Sequence, residues 1–316
     1  MPKMEEKILT RTQVKKLGLD KIPVITDDML DGYTGIDSNA FACCDRLTSI
    51  TIPSSITSIG YLAFAYCSRL SSIDIPSSVT RFGNGVFYCC GLSSVKLPNS
   101  ITSIGDSTFY GCDNLSSIDI PSGVTSIDKD AFACCNSLTS ITIPSGVTCI
   151  RNRAFHNCRY LTSVVIPNSV TSIGVRAFCN CRRLLSITIP NSVTNIGWYA
   201  FYKCNLESIT IHGVEYKAQV VANGKCKAYK GFNSNMMCRD FKYKEGKTYK
   251  FNGKIELCKC GFHACLGLES VFNYYCGEIG KNFVIHEVEL ENVSEARHDN
   301  DSKVVAKKIT IGKRIL

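Results

Sequence analysis

Ala131-Phe132-Ala133-Cys134-Cys135-Asn136-Ser137-Leu138-Thr139-Ser140-Ile141-Thr142-Ile143-Pro144 is one copy of the unit that decides this fold. Ser140 to Ile143 alternates polar and apolar residues, the period-two pattern of a half-buried strand. Ile141 and Ile143 face a core, and Ser140 and Thr142 face outward. Pro144 ends the strand because it has no N–H to give to a ladder. Ser145-Gly146 turns the chain, and Val147 to Ile150 makes a second short extended piece. Asn152-Arg153-Ala154-Phe155-His156-Asn157-Cys158 then returns as a tight or single helical turn, and its phenylalanine plugs the core.

The unit recurs along more than half the chain. Phe41, Phe64, Phe87, Phe109, Phe132, Phe155, Phe178 and Phe201 follow one another at 23 residues, with a single step of 22. Pro53, Pro76, Pro98, Pro121, Pro144, Pro167 and Pro190 keep the same beat. A unit this short cannot bury a core alone, so the copies stack into a solenoid. Parallel strands lie about 4.8 Å apart, so the seven intervals between eight coils span roughly 34 Å. Cys90-Gly91-Leu92 and Cys204-Asn205-Leu206 lack one residue and mark local changes of turn.

Leu, Ile, Ile-Pro, Val, Ile-Gly, Ala-Phe and Cys at this spacing resemble the BspA-type leucine-rich repeats, over about residues 33–213. The resemblance implies a leucine-rich repeat solenoid, mainly β, with eight coils. It also implies an interaction protein, since members of that family are generally interaction proteins.

Residues 1–32 read as a cap over the open end of the stack. Thr12 to Leu17 predicts a short helix that ends at Gly18. Ile22-Pro23 and Gly35-Ile36 echo the repeat. After Gly213 the period stops. Residues 214–316 are rich in Lys, Tyr and Phe and carry strand patterns at Thr248 to Phe251, Phe283 to Leu290 and Lys308 to Ile311. Leu266 to Tyr275 is compatible with a short helix. The reading is a small α+β domain, large enough to fold alone. Cys238-Arg239-Asp240-Phe241, Gly261-Phe262-His263-Ala264-Cys265 and Phe272-Asn273-Tyr274-Tyr275 resemble an uncharacterised C-terminal domain of phage and prophage-encoded proteins. That resemblance implies a phage or prophage origin, and a host protein as partner.

Net charge is +9 over 316 residues. Residues 1–32 are neutral, residues 33–210 contribute +3 and residues 211–316 contribute +6. This excess is mild and mixed in sign, so nucleic acid is not the favoured partner. There is no run of 18 apolar residues to span a membrane and no signal-peptide pattern at the start. Of the 19 cysteines, Cys44, Cys67, Cys90, Cys112, Cys135, Cys158, Cys181 and Cys204 hold one repeat position. They read as small buried side chains kept reduced, which places the protein in the cytoplasm.

Four groups of residues are candidates for function. The outward strand positions beside the serine column, Thr51, Asp74, Lys96, Asp119, Thr142, Thr188 and Thr210, form a binding strip of the kind solenoids present. Arg153, Arg159, Arg176, Arg182 and Arg183 stack from coil to coil into a basic patch that suits phosphate or an acidic partner. Cys258, Cys260, His263 and Cys265 are a zinc candidate, although Cys-x-Cys wraps a metal less readily than Cys-x-x-Cys. In the tail, Tyr229-Lys230-Gly231-Phe232 and Gly261-Phe262-His263-Ala264 faintly resemble ADP-ribosyltransferases. That resemblance implies an NAD pocket lined by Tyr229 and His263, with Glu287 or Glu289 to orient the ribose. The leading reading is a non-catalytic recognition or scaffold protein that binds a protein and needs no cofactor. The alternative is an NAD-binding transferase domain targeted by the repeats.

Overall fold

The computed structural model describes residues 7–211, 213–217, 225–233, 237–238, 241–250, 262–265, 283–295 and 303–315. The solenoid has three walls. The first is the strand read from the sequence, seen at Ser72–Asp74, Ser94–Lys96, Ser140–Thr142, Ser163–Val165, Ser186–Ile189 and Ser208–Ile211. The second is a shorter parallel ladder through Ser103–Ile104, Ser126–Ile127, Cys149–Ile150, Ser172–Ile173 and Asn195–Ile196. The third is the returning turn, which carries the phenylalanines.

That turn is hydrogen-bonded in two alternating ways. The N–H groups of Phe132 and Cys134 donate across to Ala154 and His156 of the next coil, while those of Ala133 and Cys135 donate locally to Asp130 and Phe132. Alternation of this kind requires two left-handed residues per coil, such as Asp130 at φ 56° and Cys134 at φ 62°. Each costs about 1–2 kcal/mol in a residue with a Cβ, and the bonds between coils offset it.

The eight phenylalanines are fully buried and stack ring on ring at 5.2–5.8 Å. Beside them the cysteine column explains itself. Cys135 Sγ donates to Phe109 O at 3.1 Å, and Cys112, Cys158, Cys181 and Cys204 repeat that bond to the phenylalanine one coil back. Cysteine is small and apolar enough to be buried, yet its S–H still satisfies a carbonyl. In the short third coil Cys90 donates to Cys67 O instead. There a Cβ on Gly91 would stand 2.1 Å from Ser68 O, so only glycine fits.

Burial pushes these thiols up, Cys44 to about 11 and its deeper neighbours further. Among the cysteines of the solenoid, maleimide at neutral pH is expected to label exposed Cys43 first, and half-exposed Cys89, Cys134 and Cys149 next. The column should react only on unfolding. Labelling of native Cys112 or Cys158 at the rate of Cys43, followed by peptide mass spectrometry, would contradict this packing.

Both ends are closed. Thr10 caps the Arg11–Lys16 helix in a capping box with Gln13. Arg11 donates to the carbonyls of Asn39 and Ala42 in the first coil. Val24–Ile25 and Gly35–Ile36 extend the two ladders. Ile22-Pro23 does not hold the repeat's Ile-Pro place, because Val24 stands opposite Ser49 and the pair falls level with Leu47-Thr48, before the strand and not at its end. At the other end Val214–Lys217 pairs antiparallel with Ser208–Ile211.

Beyond it lies one antiparallel sheet, ordered Thr248–Lys250, Lys303–Arg314, Phe262–Cys265, Lys225–Asn233 and Phe283–Glu295. The Phe283–Glu295 and Lys303–Arg314 strands also pair with each other, so the sheet closes on itself. The helix expected over Leu266 to Tyr275 lies outside the described residues. Tyr216, Ile285 and Ile315 join the same apolar core as the repeats.

Candidate interaction surface

An open groove of about 1090 Å³ runs across the later coils, beside the second ladder. Three successive coils build it with the same positions: 151–153, 174–176 and 197–199. Gly174 and Gly197 form its hollow. A Cβ there would meet the backbone of the preceding coil at 2.6 Å and 2.4 Å, so the close packing of coils demands glycine at both positions. Arg151 and Asp128 occupy the corresponding position in the two earlier coils and wall off one end, 4.0 Å apart. Trp198 walls the other end and is 52% exposed.

Arg153, Arg176 and Tyr199 take the left-handed position of their coils, at φ 58°, 57° and 58°. The Arg176 guanidinium lies 5.7 Å above the Tyr199 ring. Burial, then Arg153, holds the neighbouring His156 below its ordinary range, so it stays neutral near pH 7. Burial likewise raises the Asp128 and Asp130 carboxyls, which basic neighbours partly counteract.

The predicted basic patch therefore divides. Arg153 and Arg176 line the groove. Arg159 and Arg182 donate instead to Asn157 and Asn180 on the turn, at 3.1 Å and 2.8 Å, and Arg183 covers the Tyr160 ring at 4.2 Å. Arg151, on the returning segments like the other arginines, was already visible in the sequence, whereas sequence reasoning missed Trp198 and Tyr199. Aligning Asn152-Arg153, Val175-Arg176 and Trp198-Tyr199 in one column would have found them.

The predicted strip is exposed from Thr51 through Asp74, Lys96, Asp119, Thr142 and Thr188. Thr210 is half-covered because Glu215 pairs across from it. Asp74 stands in register with Lys96, so two of its three charges face each other. No strand forms at Asp119, which interrupts the ladder.

In the tail, Tyr229 stands opposite Glu287 on one side and Cys265 on the other, and His263 stands opposite Val305. Glu287 and Glu289 alternate with buried His286, Val288 and Leu290, which puts the two carboxylates on the outer side of their strand. Cys258 and Cys260 lie outside the described residues. Among the described residues no group of three His, Cys, Asp or Glu is placed to hold a metal. Two groups escaped the sequence reading. Lys230 and His286 are 3% and 2% exposed and stand directly across from each other. His286 Nδ1 lies 2.9 Å from Gly312 O, and the Lys230 ammonium sits 5.6 Å from the Tyr243 ring.

The BspA type leucine rich repeat region matches residues 34–162 and 148–227, in six copies. The chain belongs to the BspA-type leucine-rich repeat family. A domain of unknown function, DUF7666, matches residues 226–316. Nothing in these matches points to an ADP-ribosyltransferase. Among solved structures the repeats are similar to the leucine-rich repeat protein of T. pallidum, at 30% identity over 52% of this chain and 78% of that one, with a TM-score of 0.49. A leucine rich cell surface protein from Faecalibacterium prausnitzii is 27% identical over 59% of this chain and 71% of that one, with a TM-score of 0.30. No curated protein matches. For this BspA-type chain the fold suggests a protein-binding role. Among the described residues no helix is long and apolar enough to cross a membrane.

Proposed function

We propose that this protein is a non-catalytic recognition module that binds a protein partner in the groove of its later coils. The observation that carries this reading is the gathering of Trp198, Tyr199 and Arg176 around one hollow. Trp, Tyr and Arg dominate binding energy at protein interfaces, Trp and Tyr through large contact area with few rotamers to freeze and Arg through its planar fork of donors. The serine and threonine strip has none of the three. The unbridged cysteines of the solenoid support a reducing compartment, hence the cytoplasm. The phage and prophage context implied by the tail makes a host protein the first partner to seek.

The test is capture from cell lysate with cross-linking, using the full chain and a variant carrying Arg153→Asn, Arg176→Asn and Trp198→Ala. Asparagine tolerates the left-handed conformation, so the two arginine changes remove charge without disturbing the turn. A protein cross-linked to the groove of the full chain and lost from the variant is the expected result. Equal capture by both would remove the groove as the recognition surface.

A further inference from the structure

Charge is segregated along the solenoid. Residues 33–149 carry five basic and eight acidic side chains, whereas residues 150–211 carry seven basic and one acidic. The groove straddles this boundary. Asp106 and Asp128 stand at one end beside Lys129 and Arg151, Arg153 and Arg176 in the middle, and Trp198 with half-exposed Val175 at the other. A uniform polyanion fits this lining less well than a segment of mixed charge, since a phosphate backbone would meet Asp106 at that end.

Asp106 and Trp198 hold the same coil position four intervals apart, a distance of roughly 19 Å at 4.8 Å per coil. That is the length of about six extended residues at 3.3 Å each. Resting on the groove as the recognition surface, we propose that its occupant is an extended peptide segment. In order, the segment presents a cation to Asp106, a carboxylate to Arg153 and Arg176, and an apolar side chain to Trp198. The carboxylate gains charge-assisted bonds from two guanidinium groups. The apolar side chain lies against the exposed Trp198 ring and Val175.

Trp198 is the only tryptophan in the chain, so its fluorescence reports on this groove directly. The probe is acetyl-Lys-Gly-Asp-Asp-Phe-Gly-amide, titrated into the full-length protein. A saturable change in Trp198 emission is expected. Arg153→Asn with Arg176→Asn should weaken it by about tenfold or more, as should exchanging the charges in the peptide to Asp-Gly-Lys-Lys-Phe-Gly. Arg159→Asn with Arg182→Asn, outside the groove, should leave it unchanged. Equal binding of both peptides, or tighter binding of a short oligothymidylate, would overturn the proposal. So would the lack of any saturable change up to the solubility limit. If the peptide fails while capture of a protein still depends on the groove, the ligand chemistry falls and the recognition surface stands. If capture is also indifferent to the groove, both fall.

Discussion

A fragment ending at Gly213 is expected to lose the cooperative thermal transition of the full chain and to precipitate on warming. The last coil has no further coil to cover it. Its strand, Ser208–Ile211, is instead paired residue by residue with Val214–Lys217, from Ile211 with Val214 to Ser208 with Lys217. Tyr216, Ile285 and Ile315 complete its apolar side, and Ile315 N–H donates to Ile285 O at 2.8 Å. Removing all of this leaves an unpaired strand edge next to exposed core, the combination that templates aggregation. The N-terminal side shows the same need, met there by Arg11 and the first helix. Circular dichroism melting and size-exclusion chromatography check the expectation. A fragment that melts like the full chain would show that the tail is a passenger, not a cap.

Phe132→Ala is expected to cost about 4 kcal/mol, within the range for deleting a buried phenylalanine. Phe132 is fully buried and stacks on Phe109 at 5.2 Å and on Phe155 at 5.4 Å. Two ring contacts are lost, each worth roughly 0.5–1.5 kcal/mol beyond area. The flanking coils cannot collapse into the hole, because their separation is set by the ladders on either wall. Stability in a repeat array is a sum of nearest-neighbour terms, so weakened fourth and fifth interfaces should also divide urea unfolding into two phases. A single transition displaced by less than about 1.5 kcal/mol would mean that the stack matters less than its geometry suggests.

The repeat was legible because each coil repeats its own contacts. Once Phe, Pro and Cys recur at 23 residues, identical residues must lie above one another, and Ile141 or Phe155 needs no distant information to be placed. The cap was legible only in part: Ile36 falls level with Ile59, whereas Ile22-Pro23 falls level with Leu47-Thr48 and not with the repeat's Ile-Pro. The groove was harder to read. Its walls come from five coils, and Arg153 and Arg176 occupy left-handed positions that glycine or asparagine would mark more plainly. Arg153 and Arg176 were read as basic, but Arg159, Arg182 and Arg183 looked equivalent. Only the Asn157 and Asn180 contacts separate them. In the tail, the individual strands at Phe283 to Leu290 and Lys308 to Ile311 were visible as alternation. Their closure was not, since Lys225–Asn233 finds its partner some sixty residues away and nothing local in the sequence encodes that pairing.

The most direct test of recognition through the groove is the affinity of the captured protein for two paired variants. One carries Arg176→Asn and Trp198→Ala in the groove. The other carries Thr142→Glu and Thr188→Glu on the exposed strip. Loss of roughly thirtyfold or more in the groove variant, equivalent to about 2 kcal/mol, with the strip variant unchanged, is the predicted result. Loss in the strip variant with the groove variant unchanged would contradict the account and return recognition to the strand face.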